Sequence, residues 1–110
     1  MKGDRLGELE EIILLAIGIL DGDAYGVSIQ EEIFRQLGRK VTLSALHTSM
    51  HRMEKKGFLN SELGKPTQER GGKRKRLFHV TNMGREALEN SRNAREKLWQ
   101  LMPLVQNQNK

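Results

Sequence analysis

The stretch Lys65–Thr81 reads KPTQERGGKRKRLFHVT and predicts a basic β-hairpin. Its Gly71-Gly72 pair stands between two segments that contain apolar residues, which is a signal for a hairpin turn. The part Lys65–Arg76 carries six basic residues and one acidic residue, so its net charge of +5 equals that of the whole chain. The positive field of an otherwise balanced chain is therefore concentrated in one loop, as expected of an element that contacts a polyanion.

The composition of the whole chain limits the classes of protein that fit. A length of 110 residues, 36% hydrophobic and 30% charged, indicates one globular domain with a modest core. A pI near 9.8 fits a polyanionic partner. The chain has no cysteine, which excludes disulfides, thiolate metal sites and a cysteine nucleophile, and fits a cytoplasmic protein. No long apolar run and no leader pattern is present, so we expect no membrane contact.

The apolar periodicity predicts three helices, a hairpin and a fourth helix. The fold class is therefore mainly α with a two-stranded β-hairpin, in the order α-α-α-β-β-α of a winged helix-turn-helix module. We expect Asp23, Thr42 and Thr81 or Asn82 to cap the later helices. The predicted helices cover Gly7–Leu20, Tyr25–Leu37, Leu43–Lys56 and Met83–Met102, and the predicted strands start at Phe58-Leu59 and span Leu77–Val80.

Inward-facing positions and domain limits follow from the same pattern. The second helix is expected to bury Ile29, Ile33, Phe34 and Leu37, the third Leu43, Leu46, Met50 and Met53, and the strands Leu63, Phe78 and Val80. Residues 1–81 are predicted to form the DNA-binding part and residues 82–105 a dimerisation helix of the same compact unit. Residues 106–110 are predicted to be a disordered tail.

The third predicted helix has an outer face that suits a DNA groove. At 100° per residue, side chains with small hydroxyls and basic side chains lie opposite the inward-facing apolar positions of this helix. Hydroxyls can bond phosphates or base edges, and arginine can bind guanine in a bidentate way. The candidate recognition residues are Ser44, His47, Thr48, His51, Arg52 and Lys55, with Arg39 and Lys40 as flanking phosphate contacts. The alternative is an ordinary solvated helix face.

The hairpin provides the candidate DNA-binding wing. Its bases are Arg70, Lys73, Arg74, Lys75 and Arg76. Charges also protect exposed strand edges from aggregation, which is the alternative interpretation. Five basic residues in seven positions around a Gly-Gly turn are more than the protection of a strand edge requires. Contact with a polyanion is therefore the favoured interpretation. Such contacts are largely independent of sequence and strongly dependent on salt.

The last helix carries more apolar surface than a small domain can cover. The predicted dimer interface comprises Ala87, Leu88, Ser91, Ala94, Leu98, Trp99, Leu101 and Met102, largely at heptad spacing. Trp99 has two interpretations. It could be an aromatic wall for a planar small-molecule effector, or it could simply pack in the interface, where tryptophan is enriched.

Four segments together resemble the PadR-like (phenolic acid decarboxylase regulator-type) transcriptional regulators. They are Leu6–Leu9, Tyr25–Ile29, His51–Leu59 and Arg76–Thr81, with Gly84 soon after, in the order that the family shows. The resemblance implies a winged helix-turn-helix fold, a homodimer, helix 3 as the recognition helix and, usually, repression of a nearby operon. The single last helix resembles the short branch of the family, in which it pairs across the dimer.

The chain departs from the family at three positions. The family often has tyrosine where this chain has His47, so the resemblance gives weaker support to a phosphate or groove contact from that position. Leu77 and His79 stand where the family often has an aromatic and a basic residue, so the wing is expected to depend more on Lys73–Arg76.

Other function classes have weaker support. His47 and His51 have the i, i+4 spacing of metal ligands, but no third ligand is evident, and no phosphate-binding glycine motif occurs. An enzyme, a metal and a cofactor are therefore not expected. A non-specific architectural nucleic-acid binder shares the basic wing, and a pure interaction module would use only the last helix. A sequence-specific regulator with a pseudo-palindromic double-stranded operator is the favoured hypothesis.

Overall fold

The computed structural model describes residues 5–66 and 74–103. Its elements, in chain order, are α1 (Glu8–Leu20), α2 (Gly26–Leu37), α3 (Leu43–Lys55), β1 (Leu59–Pro66), β2 (Arg74–Val80) and α4 (Asn82–Leu101). The predicted order α-α-α-β-β-α and the winged helix-turn-helix class are confirmed. The hairpin tip with Gly71-Gly72, Arg70 and Lys73 and the tail 104–110 lie outside the described residues.

The two strands form one antiparallel pair. Leu59 pairs with Val80 and Leu63 with Arg76, and the register shifts before Pro66 pairs with Arg74. Both strands reach further toward the tip than the sequence predicted, since β2 begins at Arg74 rather than at Leu77. The ladder therefore extends into the basic segment and fixes the backbone from which Arg74, Lys75 and Arg76 project.

The core lies where α1, α2, α3 and the base of the hairpin meet. Its fully buried side chains include Ile13, Leu14, Ile17, Ile29, Ile33, Leu46, Met50, Met53 and Leu59, with Phe58 and Phe78 closing the hairpin side. The spacing of these positions along α1 and α3 is that of one helix face, which is why the periodicity located them.

Four residues predicted to face inward are instead exposed. Phe34 and Leu37 are 50% and 58% exposed, and Leu43 and Leu63 are 39% and 46% exposed. The core of a domain this small covers only a narrow stripe of α2, which Ile29 and Ile33 already occupy. Phe34 follows Ile33 by one position and so points about 100° away from it.

Helix ends were predicted well except at α2. The Thr42 hydroxyl accepts from the Ala45 N–H, and the Thr81 hydroxyl accepts from the Gly84 N–H, as expected of caps. Asp23 does not cap α2. Tyr25 occupies the cap position, and its N–H donates to the Ser28 hydroxyl, which in turn donates to the Asp23 carbonyl.

The last helix leaves the body of the domain. Ala87 and Leu88 pack against the core, while the positions beyond Ser91 are exposed. The longest dimension of the described chain is 63 Å against 32 and 22 Å for the other two. Within the described residues, no helix combines the length and apolar character that a bilayer span requires.

Candidate nucleic-acid interface

One open groove brings the predicted recognition helix and the predicted wing together. It has a volume of about 270 Å³ and lies between the N-terminal ends of α2 and α3 on one side and β2 on the other. His47 on α3 and the three described wing bases share it, so residues far apart in sequence form one positively charged concave surface. Its lining residues are Tyr25, Gly26, Val27, Leu43, His47, Arg74, Lys75, Arg76 and Phe78.

The outer face of α3 is solvent-accessible along its length. The exposed positions are Ser44, His47, Thr48, His51, Arg52 and Lys55, opposite the buried Leu46, Met50 and Met53. The helix therefore presents the predicted side chains outward on a rigid support. Their roles in reading DNA stay predictions.

Gly26 allows His47 to lie against the start of α2. A Cβ atom at Gly26 would be 3.1 Å from His47 Nε2 and 3.3 Å from Cε1. The absence of a side chain there thus lets the imidazole approach the backbone of the neighbouring helix. The first turn of α2, which begins after Tyr25, borders the same groove. A helix N-terminus beside several bases favours an anion such as a phosphate.

The wing is attached to both helices that line the groove. Lys75 Nζ lies 4.1 Å from the centroid of the Tyr25 ring, a cation–π contact between β2 and the start of α2. Arg76 Nη1 donates to Ser61 Oγ at 3.0 Å, and Ser61 Oγ donates to Glu54 Oε2 on α3 at 2.8 Å. These contacts fix the position of β2 relative to α2 and α3.

Arg74 is positioned by its own hairpin. Its Nε donates to the Gly64 carbonyl at 2.7 Å and its Nη2 to the Leu63 carbonyl at 3.4 Å. The guanidinium is exposed, and these two bonds, its only ones to the residues that the structure describes, leave other N–H donors for a phosphate. It therefore enters any complex partly preorganised.

Two predicted contacts are engaged inside the chain. Arg39 Nη1 lies 3.2 Å from Glu8 Oε1, whereas Lys40 beside it is exposed. Arg52 Nη1 lies 3.6 Å from Glu10 Oε2. The prediction that Arg52 binds a base stays a prediction, but the guanidinium has an intramolecular partner.

Sequence reasoning assigned no site role to four residues that shape this surface. Tyr25 and Gly26 position Lys75 and His47, while Glu54 and Glu10 hold the wing and α3. Tyr25 and Gly26 carried a signal, since both belong to a segment that resembles the family. Glu54 also belongs to such a segment, His51–Leu59, but the sequence did not indicate its partner Ser61. Glu10 carried no signal, because its partner Arg52 is distant in sequence.

The end of α4 presents a cluster of large apolar side chains. Leu98, Trp99 and Leu101 are 65%, 66% and 73% exposed, and Met102 is 48% exposed. Ala87 and Leu88, which were also predicted for the dimer interface, are half-buried against the core of their own chain. They are the first two residues of the predicted dimer interface along α4, and the helix still packs on the domain at that point.

A second groove separates α1 from α4. It has a volume of about 500 Å³, and Arg95 on α4 crosses it to form an ion pair with Glu11 on α1. Leu15, Leu88 and Trp99 contribute apolar surface among charged neighbours. In residues 5–66 and 74–103, no three of the His, Cys, Asp and Glu side chains are grouped as a metal site would need.

Comparisons with known proteins agree on one family. The model of the transcriptional regulator PadR-like family matches residues 13–90. No curated protein matches the chain. A transcriptional regulator from Clostridium thermocellum is 22% identical, with 84% of each chain covered and a TM-score of 0.68. A PadR-like transcriptional regulator from Bacillus cereus is 21% identical, with 84% of each chain covered and a TM-score of 0.68.

A PadR family transcriptional regulator from Eggerthella lenta is 22% identical, with 84% of this chain and 80% of the other covered and a TM-score of 0.65. At these identities the structural matches establish the fold. The family match identifies a transcription regulator rather than an enzyme.

Proposed function

Because the chain belongs to the PadR-like family of transcriptional regulators, we propose that it is a homodimeric repressor of a nearby operon that binds a pseudo-palindromic DNA operator in the cytoplasm. The observation that supports this most directly is the shared groove, which is lined both by His47 of α3 and by the basic residues of β2. Occupying an operator is sufficient to block transcription, so repression needs no surface beyond those that bind DNA and a second subunit.

The two halves of the groove are proposed to do different work. The outer face of α3, with Ser44, Thr48 and His51, would read base edges in the major groove. The basic residues of the wing and Lys40 would contact the phosphate backbone. Such contacts fix the position of the protein along the DNA without reading its sequence.

The apolar end of α4 supports the dimer. Four adjacent large apolar side chains with this exposure are unusual on a monomer and mark an interaction site. An isologous pair of α4 helices would bury them and place two recognition helices about one DNA turn apart, so half-sites should be spaced by about 10 bp or a multiple.

Trp99 gives a second candidate role to the same region. It borders the groove between α1 and α4, where a planar aromatic effector could stack and relieve repression. Interface packing is the simpler role. As the chain has a single tryptophan, quenching of its fluorescence by planar compounds, at constant dimer mass, would support an effector.

Selection from a random duplex pool separates a specific regulator from an architectural binder. We expect a pseudo-palindrome that binds at least about 1,000-fold more tightly than random duplexes. A reporter that carries the selected sequence should then be repressed when the protein is expressed. Equal affinity for all duplexes would favour the architectural alternative, and activation of the reporter would overturn the repressor role.

Removing two wing charges should weaken binding to every duplex. In the variant K73Q/R74Q we expect the slope of log K against log salt to fall by about 2 to 4 for a dimer, at about 0.9 per lost phosphate contact. The affinity for operator and random duplexes should fall together, roughly 10- to 100-fold at about 0.1 M salt. Titration by fluorescence anisotropy at several salt concentrations measures both quantities.

The matched control removes two charges from α4 instead. R92Q/K97Q has the same net charge as the wing variant, and both altered residues are exposed on a helix outside the groove. Its slope should stay within about 0.5 of the wild type. Equal effects of the two variants would mean that only net charge matters and that the wing makes no particular contact.

A further inference from the structure

A single buried carboxylate connects α1 with the recognition helix. The Glu10 side chain is only 8% exposed, and its Oε2 lies 3.6 Å from Arg52 Nη1 and 3.8 Å from Lys56 Nζ. Its other oxygen, Oε1, accepts the Gly7 N–H at 2.9 Å. Both oxygens thus have partners, and the carboxylate is held in one orientation by the first turn of α1.

This fixed carboxylate limits where the two basic side chains, Arg52 and Lys56, can point. Lys56 is 27% exposed, whereas the Arg52 side chain is 56% exposed and reaches the carboxylate from the solvent side. Arg52 follows His51 on the outer face of α3, so a guanidinium released from Glu10 would lie next to the surface that faces DNA. The ion pair with Glu10 directs this long side chain toward α1.

We propose that Glu10 is a specificity-determining residue, which restrains Arg52 and Lys56 and prevents them from adding sequence-independent contacts to the DNA backbone. The inference rests on the proposed DNA-binding function and extends it. Each cation that reaches a phosphate raises the affinity for all sequences alike, which lowers the advantage of the operator over random DNA. Glu10 thus restricts sequence-independent contacts with DNA phosphates to the basic residues of the wing.

The test is a comparison of two neighbouring glutamine variants. Glu10→Gln should bind a random-sequence 20-bp duplex roughly threefold to tenfold more tightly at about 0.1 M salt, with a slope steeper by about 1 to 2 per chain. Affinity for the selected operator should rise less, so the ratio between the two falls. Glu11→Gln makes the same change of charge one residue away, but Glu11 pairs with Arg95 on α4, so both affinities should stay within about twofold.

A purely structural role gives the opposite sign. If Glu10 only holds α1 against α3, its loss would weaken binding to both duplexes, and this result would overturn the proposal. The origin of the gain is checked in the triple variant E10Q/R52Q/K56Q, in which the tighter random binding should disappear. A gain that persists without the two bases would also overturn the proposal.

Two further outcomes keep the inference apart from the proposed function. If the wild-type protein bound no duplex at low salt, both would fail, whereas wild-type binding with an unchanged Glu10→Gln variant overturns the inference alone. If Glu10→Gln did not fold, K56Q in the otherwise natural chain decides the question. Random-duplex affinity within about twofold of the wild type supports the restraint, and a larger loss shows that Lys56 already contacts DNA and overturns the inference.

Discussion

Replacing Gly84 with alanine should destabilise the fold by about 2 to 4 kcal/mol, more than a typical overpacking substitution. A Cβ atom at this position would lie 2.3 Å from the Phe58 carbonyl oxygen and 3.0 Å from a Val80 methyl group. The nearest atom belongs to the backbone, so no side-chain rotation can relieve the overlap. Gly84 is also the only residue of α4 that is buried among those described.

The junction around Gly84 is anchored from several directions, which limits relaxation. The Phe58 carbonyl accepts the Thr81 N–H at 3.0 Å, and the Thr81 hydroxyl donates to the Gly57 carbonyl at 2.6 Å. Shifting α4 outward to accommodate a methyl group would break these bonds at the point where the hairpin meets the helix. The cost therefore includes lost hydrogen bonds as well as steric overlap.

Gly18 provides the matched control. It lies inside α1, is exposed, and a Cβ atom there would have no heavy atom within 4 Å. Gly18→Ala should therefore stabilise the protein by about 0.5 to 1 kcal/mol through helix propensity alone. Urea unfolding followed by circular dichroism gives both free energies of unfolding. A Gly84→Ala variant as stable as the wild type would show that α4 does not pack this closely on the hairpin.

The elements were predictable because each has a local signal. The 3.6-residue apolar period located α1 and α3, and Thr42 and Thr81 marked helix starts through hydroxyls that accept an N–H three residues on. The Gly-Gly turn and its flanking segments predicted the hairpin pair. These signals operate within a few residues, so one sequence is enough to read them.

Long-range partners were not predictable in the same way. Phe34 and Leu37 have the character of core residues, but their exposure depends on how little of α2 the other helices cover. Glu10 and Arg52 are ordinary charged residues until the fold brings them within ion-pair distance. The sequence thus indicated which segments line the groove, whereas the ion pairs and hydrogen bonds between them required the tertiary arrangement.

Introducing two acids at the end of α4 should abolish the proposed dimer and, with it, tight operator binding. In L98E/L101E each subunit would bring two charges into an interface now lined by apolar side chains. Burying an unpaired charge costs several kcal/mol, so we expect the dimer dissociation constant to rise more than about 100-fold. Sedimentation equilibrium at micromolar concentration should then show a monomer where the wild type shows a dimer.

The same variant separates dimer formation from folding. Leu98 and Leu101 are exposed and lie far along α4 from the core contacts of Ala87 and Leu88, so helix content should stay unchanged. Affinity for a palindromic operator should fall roughly 100-fold, because two half-sites no longer bind as one linked unit. Affinity for a single half-site should change little beyond the effect of the added charge.

The control N93E/Q100E adds the same charge on the opposite side of α4. Asn93 and Gln100 lie about 140° and about 160° from Leu98 around the helix, and both are exposed. This variant should remain a dimer and lose operator affinity only by the long-range electrostatic effect, which weakens as salt increases. If L98E/L101E also remained a dimer, the apolar end of α4 would not be the interface. If it became a monomer that still bound the palindrome as tightly as the wild type, each subunit would read its half-site independently, and the proposed C2 recognition would be wrong.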